Sequence, residues 1–241
     1  MKFLNDGNSL RWSHSQASRR ACIFNRDQSL HGLLHLNLKP QPYVGNIETA
    51  SVFVLLANPG FSPSDYDDDH VNLKHMAACD SNLRQEGIGF YPLLPESANT
   101  GAGRYWLRRL GTLERTLAEK AKISLPEARN LLVQQFAVIE AGPYHSKSFP
   151  GAWHDRLSSS RAARHFVRQS LIPRARDGSA LILVLRRVSF WRLSPNLPGV
   201  LVREPKQAQL SNFLKHEADA MTSFLAELHH ARAQESTEHE T

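Results

Sequence analysis

The stretch Ser51-Val52-Phe53-Val54-Leu55-Leu56-Ala57-Asn58-Pro59-Gly60 decides how the rest of the chain is read. After Ser51, the six residues Val52 to Ala57 are β-branched or apolar with no polar alternation, which suits a strand buried on both faces. Pro59 and Gly60 then force a tight turn. Three later segments read the same way: Gln135 to Glu140, Ala180 to Leu185 (the most apolar of the set) and Gly199 to Arg203. Helical patterns lie between them. One runs through Val71 to Asp80. A second, Arg104 to Lys122, places Trp106, Leu107, Leu110, Leu113 and Leu117 at helical spacing. Ser124 caps a third, with Pro126 and Glu127 in its first turn. Ser158 to Leu171 is helical and basic and is ended by Pro173, and Ala208 to Leu228 closes the chain as an amphipathic helix.

Residues 1–38 read as short irregular elements wrapped on the core. Lys39 to Asn46, Phe90 to Thr100 and Gly142 to Ser146 read as loops. Strands alternating with helices predict an α/β fold: a three-layer α/β/α sandwich around a mostly parallel, four-stranded sheet. A single domain over residues 1–228, followed by a frayed polar tail at 229–241, accounts for the whole chain. In such sheets the functional groups stand beyond the carboxyl ends of the strands. Asn58, Glu140 with His145, and Glu204 to Ser211 are therefore the residues to question.

Composition narrows the class. The longest apolar run is far too short to cross a bilayer, and the N-terminus turns polar at once, so neither a membrane span nor a signal peptide is expected. Two cysteines, Cys22 and Cys79, exclude a disulfide framework, a four-thiolate zinc site and an all-cysteine iron–sulfur cluster. The expected compartment is the reducing cytoplasm. The net charge is +6, and the excess is uneven: Gly101 to Pro205 holds 18 basic residues against 7 acidic ones. Most are arginines, from Arg104, Arg108 and Arg109 through Arg161, Arg164, Arg168, Arg174 and Arg176 to Arg186, Arg187 and Arg192. The planar guanidinium fork suits phosphate, so a nucleic-acid partner is one reading and a solvated cationic surface the other.

Four islands carry a resemblance. Pro42-Tyr43-Val44-Gly45, a spacer, the apolar strand and Asn58-Pro59-Gly60 form the first. Gly87-Ile88-Gly89-Phe90 is the second, Phe136-Ala137-Val138-Ile139-Glu140 the third, and Val202 to Ser211 the fourth. Their order and spacing resemble the uracil-DNA glycosylase superfamily, in the branch with an Asn-Pro-Gly first motif. The resemblance implies that fold and a monofunctional DNA glycosylase activity, with no metal or organic cofactor. Asn58 would then hold the attacking water, Phe90 would stack on the flipped base and Glu140 would read the base edge. Leu210 would be the wedge filling the hole in the duplex, with Arg203, Gln207 and Ser211 on the DNA beside it. Two departures stand out. Glu140 replaces the family's Asn, and Lys206 or Gln207 stands where the family has His.

Each residue carries more than one reading. Gly60, lacking a side chain, leaves room for a substituent at the 5-position of the base. An ionised Glu140 is acceptor-only and matches the N4 amine of cytosine. If burial protonates it, it can instead donate to O4 of uracil. It can also be a strand-end carboxylate paired with an arginine. His145 could steady the departing base or contact a phosphate, or pack against Tyr144. Lys206 could place fixed positive charge near the leaving base or contact a phosphate. Phe90 could be a core aromatic, and Leu210 the first buried residue of the last helix. Asp67, Asp68, Asp69, His70 and His75 match no known ligand spacing and read as a solvated acidic loop.

The expectation is a monomeric DNA glycosylase that flips a base and hydrolyses its N-glycosidic bond to leave an abasic site. The base would be a 5-modified cytosine or otherwise uracil. Modified cytosines occur in some phage genomes, which would fit a defence role. The alternatives are an inactive DNA-binding relative of the same fold, and a hydrolase acting on small esters or nucleosides.

Overall fold

A computed structural model describes residues 34–35, 38–87, 89–147, 157–207 and 212–238. The irregular N-terminal segment expected over residues 1–38 falls mostly outside these, as do Ile88, Leu210 and Ser211.

Five strands form one sheet: β1 (Tyr43–Val44), β2 (Val52–Leu56), β3 (Phe136–Glu140), β4 (Leu181–Val184) and β5 (Val200–Val202). Their spatial order is β1-β3-β2-β4-β5. The four expected strands are the parallel set, with Val54 opposite both Val138 and Leu183. β1 is a fifth, antiparallel to β3, where the sequence reads as a turn-rich connection. Pairing Tyr43 with Ile139 and Val44 with Val138 extends the sheet by two residues that show no strand pattern alone.

The helices are α1 (Asp65–His70), α2 (Leu73–Arg84), α3 (Gly101–Ala121), α4 (Leu125–Gln135), α5 (Ser158–Phe166), α6 (Ile172–Arg176), α7 (Val188–Trp191) and α8 (Lys215–Glu238). Side chains alternate across the pleat. Val52, Val54, Phe136, Val138, Leu181 and Leu183 face one apolar layer, shared with Leu110, Leu113 and Leu117 of α3 and Met221 and Leu225 of α8. Phe53, Leu55, Ala137, Ile139, Ile182 and Val184 face the other, closed by Ala163, Val167, Leu171 and Trp191. Burying each such side chain is worth about 1.5–3 kcal/mol. The sheet is covered on both faces, and this is why its strands are apolar throughout.

Local chemistry sets the helix limits. Thr100 accepts from the Gly103 amide and starts α3, and Ser124 with Glu127 forms a capping box at the start of α4. Pro173 does not end its helix. A π-helical turn, Val167–Leu171, joins α5 to α6, and Pro173 sits in the first turn of α6. There its missing N–H costs little. α8 continues to Glu238, so the tail expected from residue 229 is helical to that point. Its sequence from Leu228 through Glu235 holds no glycine or proline to stop it. Among the described residues, no helix is long and apolar enough to cross a membrane.

Candidate functional site

A cleft of about 1130 Å3 opens at the carboxyl ends of the parallel strands. Leu56 enters it at the end of β2 and Ala57 to Gly60 after it, Glu140 at the end of β3, Arg186 and Arg187 after β4, and Pro205 after β5. The start of α3 supplies a wall through Arg104, Tyr105 and Arg108, and the loop after β3 supplies His145 to Lys147. Topology thus brings together the strand ends that the sequence singled out.

Asn58 is held in one orientation. Its Nδ2 lies 2.6 Å from the Pro59 carbonyl oxygen, 2.9 Å from that of Ser146 and 3.1 Å from Ser146 Oγ. Carbonyl oxygens only accept, so the amide nitrogen must face them and Oδ1 must face away. No described residue donates to Oδ1. It is an acceptor at the cleft wall, able to take a hydrogen bond from a water molecule. Gly60, two residues on, is exposed, and a Cβ placed on it would meet nothing within 4 Å.

Glu140 is 6% exposed, and its Oε2 has no hydrogen-bond partner. Burial alone pushes its pKa well above the ordinary carboxylate range. The neutral acid is therefore favoured, with one O–H donor and one carbonyl acceptor. This replaces the acceptor-only carboxylate on which the match to cytosine N4 rests. A neutral acid can serve O4 and N3–H of a uracil-type base, or N4–H and N3 of a cytosine-type base.

His145 is 7% exposed, and its Nδ1 donates to the Gly60 carbonyl oxygen at 2.9 Å, with Asp65 Oδ2 3.8 Å away. In the neutral ring Nε2 therefore carries the lone pair, and it is buried without a partner. Asp65 also lines the cleft. Burial raises its pKa, opposed by the Ser62 amide and by His145, while Asp68 and Asp69 add to the rise.

Other expected site residues stand elsewhere. Phe90 is fully buried, edge-on to Trp106 and Phe136 at 5.2 and 4.9 Å, and is a core aromatic, not a cleft plate. The backbone explains its motif. Gly89 has φ +66°, and a Cβ there would lie 2.4 Å from the Val133 carbonyl oxygen, the same oxygen that accepts from the Phe90 amide at 2.7 Å. Arg203 is 3% exposed and donates to both carboxylate oxygens of Glu217, at 2.8 and 2.5 Å, so it clamps the end of β5 to α8 instead of reaching DNA. Lys206 and Gln207 sit on the short 3-10 turn Pro205–Gln207, and of that turn only Pro205 lines the cleft. Lys206 is exposed and does not line the cleft.

Three aromatics, Phe61, Tyr105 and Trp106, line the cleft without being assigned to it by the sequence. Phe61, directly after Asn58-Pro59-Gly60, is stacked on His35 with centroids 3.4 Å apart and planes within 10°. Tyr105 carries the Arg109 guanidinium over its ring at 3.2 Å. Adjacency to the Asn-Pro-Gly turn was the available signal for Phe61. Tyr105 reads as one more residue of an amphipathic helix. Comparison of the chain with family models, curated proteins and solved structures finds no match.

Proposed function

We propose that the protein is a monofunctional DNA glycosylase acting on a flipped pyrimidine. The observation that carries this reading is the convergence, in one cleft at the strand ends, of the unpaired Asn58 Oδ1, the buried Glu140 acid and His145. Breaking the N-glycosidic bond develops positive charge on the sugar and negative charge on the base. Asn58 Oδ1 accepts a hydrogen bond from water and holds it for attack without taking a proton early. Glu140, as a neutral acid, pairs with the base edge. His145 lines the same cleft, where its ring would steady the departing base.

Arg104, Arg108, Arg186, Arg187 and Lys147 border the same cleft and supply the attraction for a phosphate backbone. Phe61, backed by His35, takes the stacking role that Phe90 cannot take from the core. A pyrimidine alone fills little of about 1130 Å3. The open space at Gly60 admits a substituent at the 5-position, which favours a 5-modified pyrimidine; a modified cytosine of phage DNA would fit a defence role.

Asn58→Ala separates chemistry from binding. The reading expects base release to fall by at least about a hundredfold, as when one preorganised polar group is removed from an active site, with DNA affinity kept. Unchanged release in Asn58→Ala would refute the role of Asn58. Tight DNA binding with no release from any base would favour the inactive binding relative.

A further inference from the structure

Behind the cleft wall lies a second cluster of reactive side chains. Asp69 comes from α1, and His75 and Cys79 are one helical turn apart on the same face of α2. All three are buried, at 7, 3 and 2% exposure, so the acidic stretch is not solvated at Asp69. Cys79 Sγ lies 3.5 Å from His75 Nε2, and Asp69 Oδ1 lies 4.0 Å from that same nitrogen. One donor atom from each residue falls within 4.8 Å of the other two.

Hydrogen bonding accounts for only part of this grouping: Cys79 Sγ is within bonding distance of His75 Nε2 and of the Tyr91 hydroxyl. An imidazole N–H makes one good bond, yet Nε2 faces a sulfur and a carboxylate oxygen, and the latter is beyond bonding distance. Nδ1 of His75 is buried with no partner. The separations are also close to those a shared cation would impose. Tetrahedral zinc with its usual bond lengths sets sulfur and nitrogen about 3.5 Å apart and nitrogen and oxygen about 3.4 Å apart. The first is met, and the second needs Asp69 to close by about 0.6 Å.

We propose that Asp69, His75 and Cys79 bind one divalent zinc-type ion, which ties α1 to α2. Thiolate, imidazole and carboxylate form a borderline-soft donor set that suits zinc over magnesium or calcium. Binding forms a metal–sulfur bond and releases the Cys79 proton to solvent. The Tyr91 hydroxyl and the Gln41 amide also lie beside the sulfur, 3.4 and 3.9 Å from Cys79 Sγ. Gln41 also lines the cleft, and Asp65 on α1 does too. The ion would therefore stiffen the wall that carries Asp65 without touching the base. This inference does not depend on the glycosylase reading.

The test uses the full chain, stripped with a chelator and desalted. It is titrated with Zn2+ against a chromogenic competitor, and separately with Co2+. The expected result is one tight equivalent, a thiolate-to-cobalt charge-transfer band and a rise in Tm on adding Zn2+. The band is lost in Cys79→Ser and kept in Cys22→Ser. Asp69→Asn keeps an acceptor for the Lys39 amide, which bonds Asp69 Oδ2 at 2.7 Å. It should fold and bind Zn2+ at least about tenfold more weakly, since loss of even a group bonded to a ligand has that effect. Surface imidazoles such as His229 and His230 would give no thiolate band. A folded wild type with no tight equivalent, a band that survives Cys79→Ser, or unchanged affinity in Asp69→Asn would overturn the proposal.

Discussion

Glu140→Gln isolates the protonation state on which base reading depends. In the unfolded chain this carboxyl titrates near its ordinary 4.5, and in the folded chain burial raises it well above that. Between the two values the native state holds a proton that the unfolded state has lost. Stability therefore falls as pH rises through this window, by about 1.4 kcal/mol per pH unit. Below the unfolded value the penalty is absent. Glutamine cannot titrate and escapes it. It does bring amide hydrogens to a site where Oε2 has no partner, a cost of about 1–3 kcal/mol that does not vary with pH. The stability of Glu140→Gln relative to wild type should therefore climb at about 1.4 kcal/mol per unit from about pH 5 upward, until the folded acid itself ionises. Urea unfolding of both proteins between about pH 5 and about pH 8 measures it, since other titrating groups are common to the two and cancel. A difference flat with pH would show that Glu140 is ionised in the fold and would restore the acceptor-only reading. In the same variant base release should stay within about tenfold of wild type, because an amide also donates and accepts. Glu140→Ala should lose it.

Arg203→Ala removes one half of a buried pair whose side chains are both about 1% exposed. It leaves Glu217 uncompensated and should cost about 3–5 kcal/mol in urea unfolding, with no change in the salt dependence of DNA binding by the folded protein. Phe90→Ala should cost about 3–5 kcal/mol as a core cavity; a variant of full stability with only weakened base release would return Phe90 to the base. Arg108→Ala, on the exposed cleft rim, should leave stability unchanged and lower the slope of log affinity against log salt by about one.

The sheet was legible because strands buried on both faces must be apolar throughout, and Val52–Leu56 and Leu181–Val184 announce themselves that way. β1 was not. Two residues after a proline show no period, and only the partner strand makes them a strand. Pro173 misled because a π turn lets the chain restart as a helix with proline in its first turn. At the site, the rule that groups gather beyond strand ends located Asn58, Glu140 and His145. It could not say which way a side chain faces. Phe90 and Arg203 were placed by resemblance and lie in the interior, because residue type and spacing do not reveal burial. Glu140 carries the same lesson: its identity suggests a charge, and its surroundings favour the neutral form. The Asp69–His75–Cys79 grouping forms only across the break between α1 and α2, so no linear spacing displays it.

The central claim is that the cleft releases a base from DNA. The most direct measurement incubates the protein with DNAs carrying uracil, plain cytosine, or cytosines bearing small and bulky 5-substituents. Freed bases are identified by mass and abasic sites are counted in the same samples. The account predicts release of a 5-substituted cytosine with one abasic site per freed base, and loss of both in Asn58→Ala. Intact DNA across the whole panel, with the protein folded and bound, would contradict it.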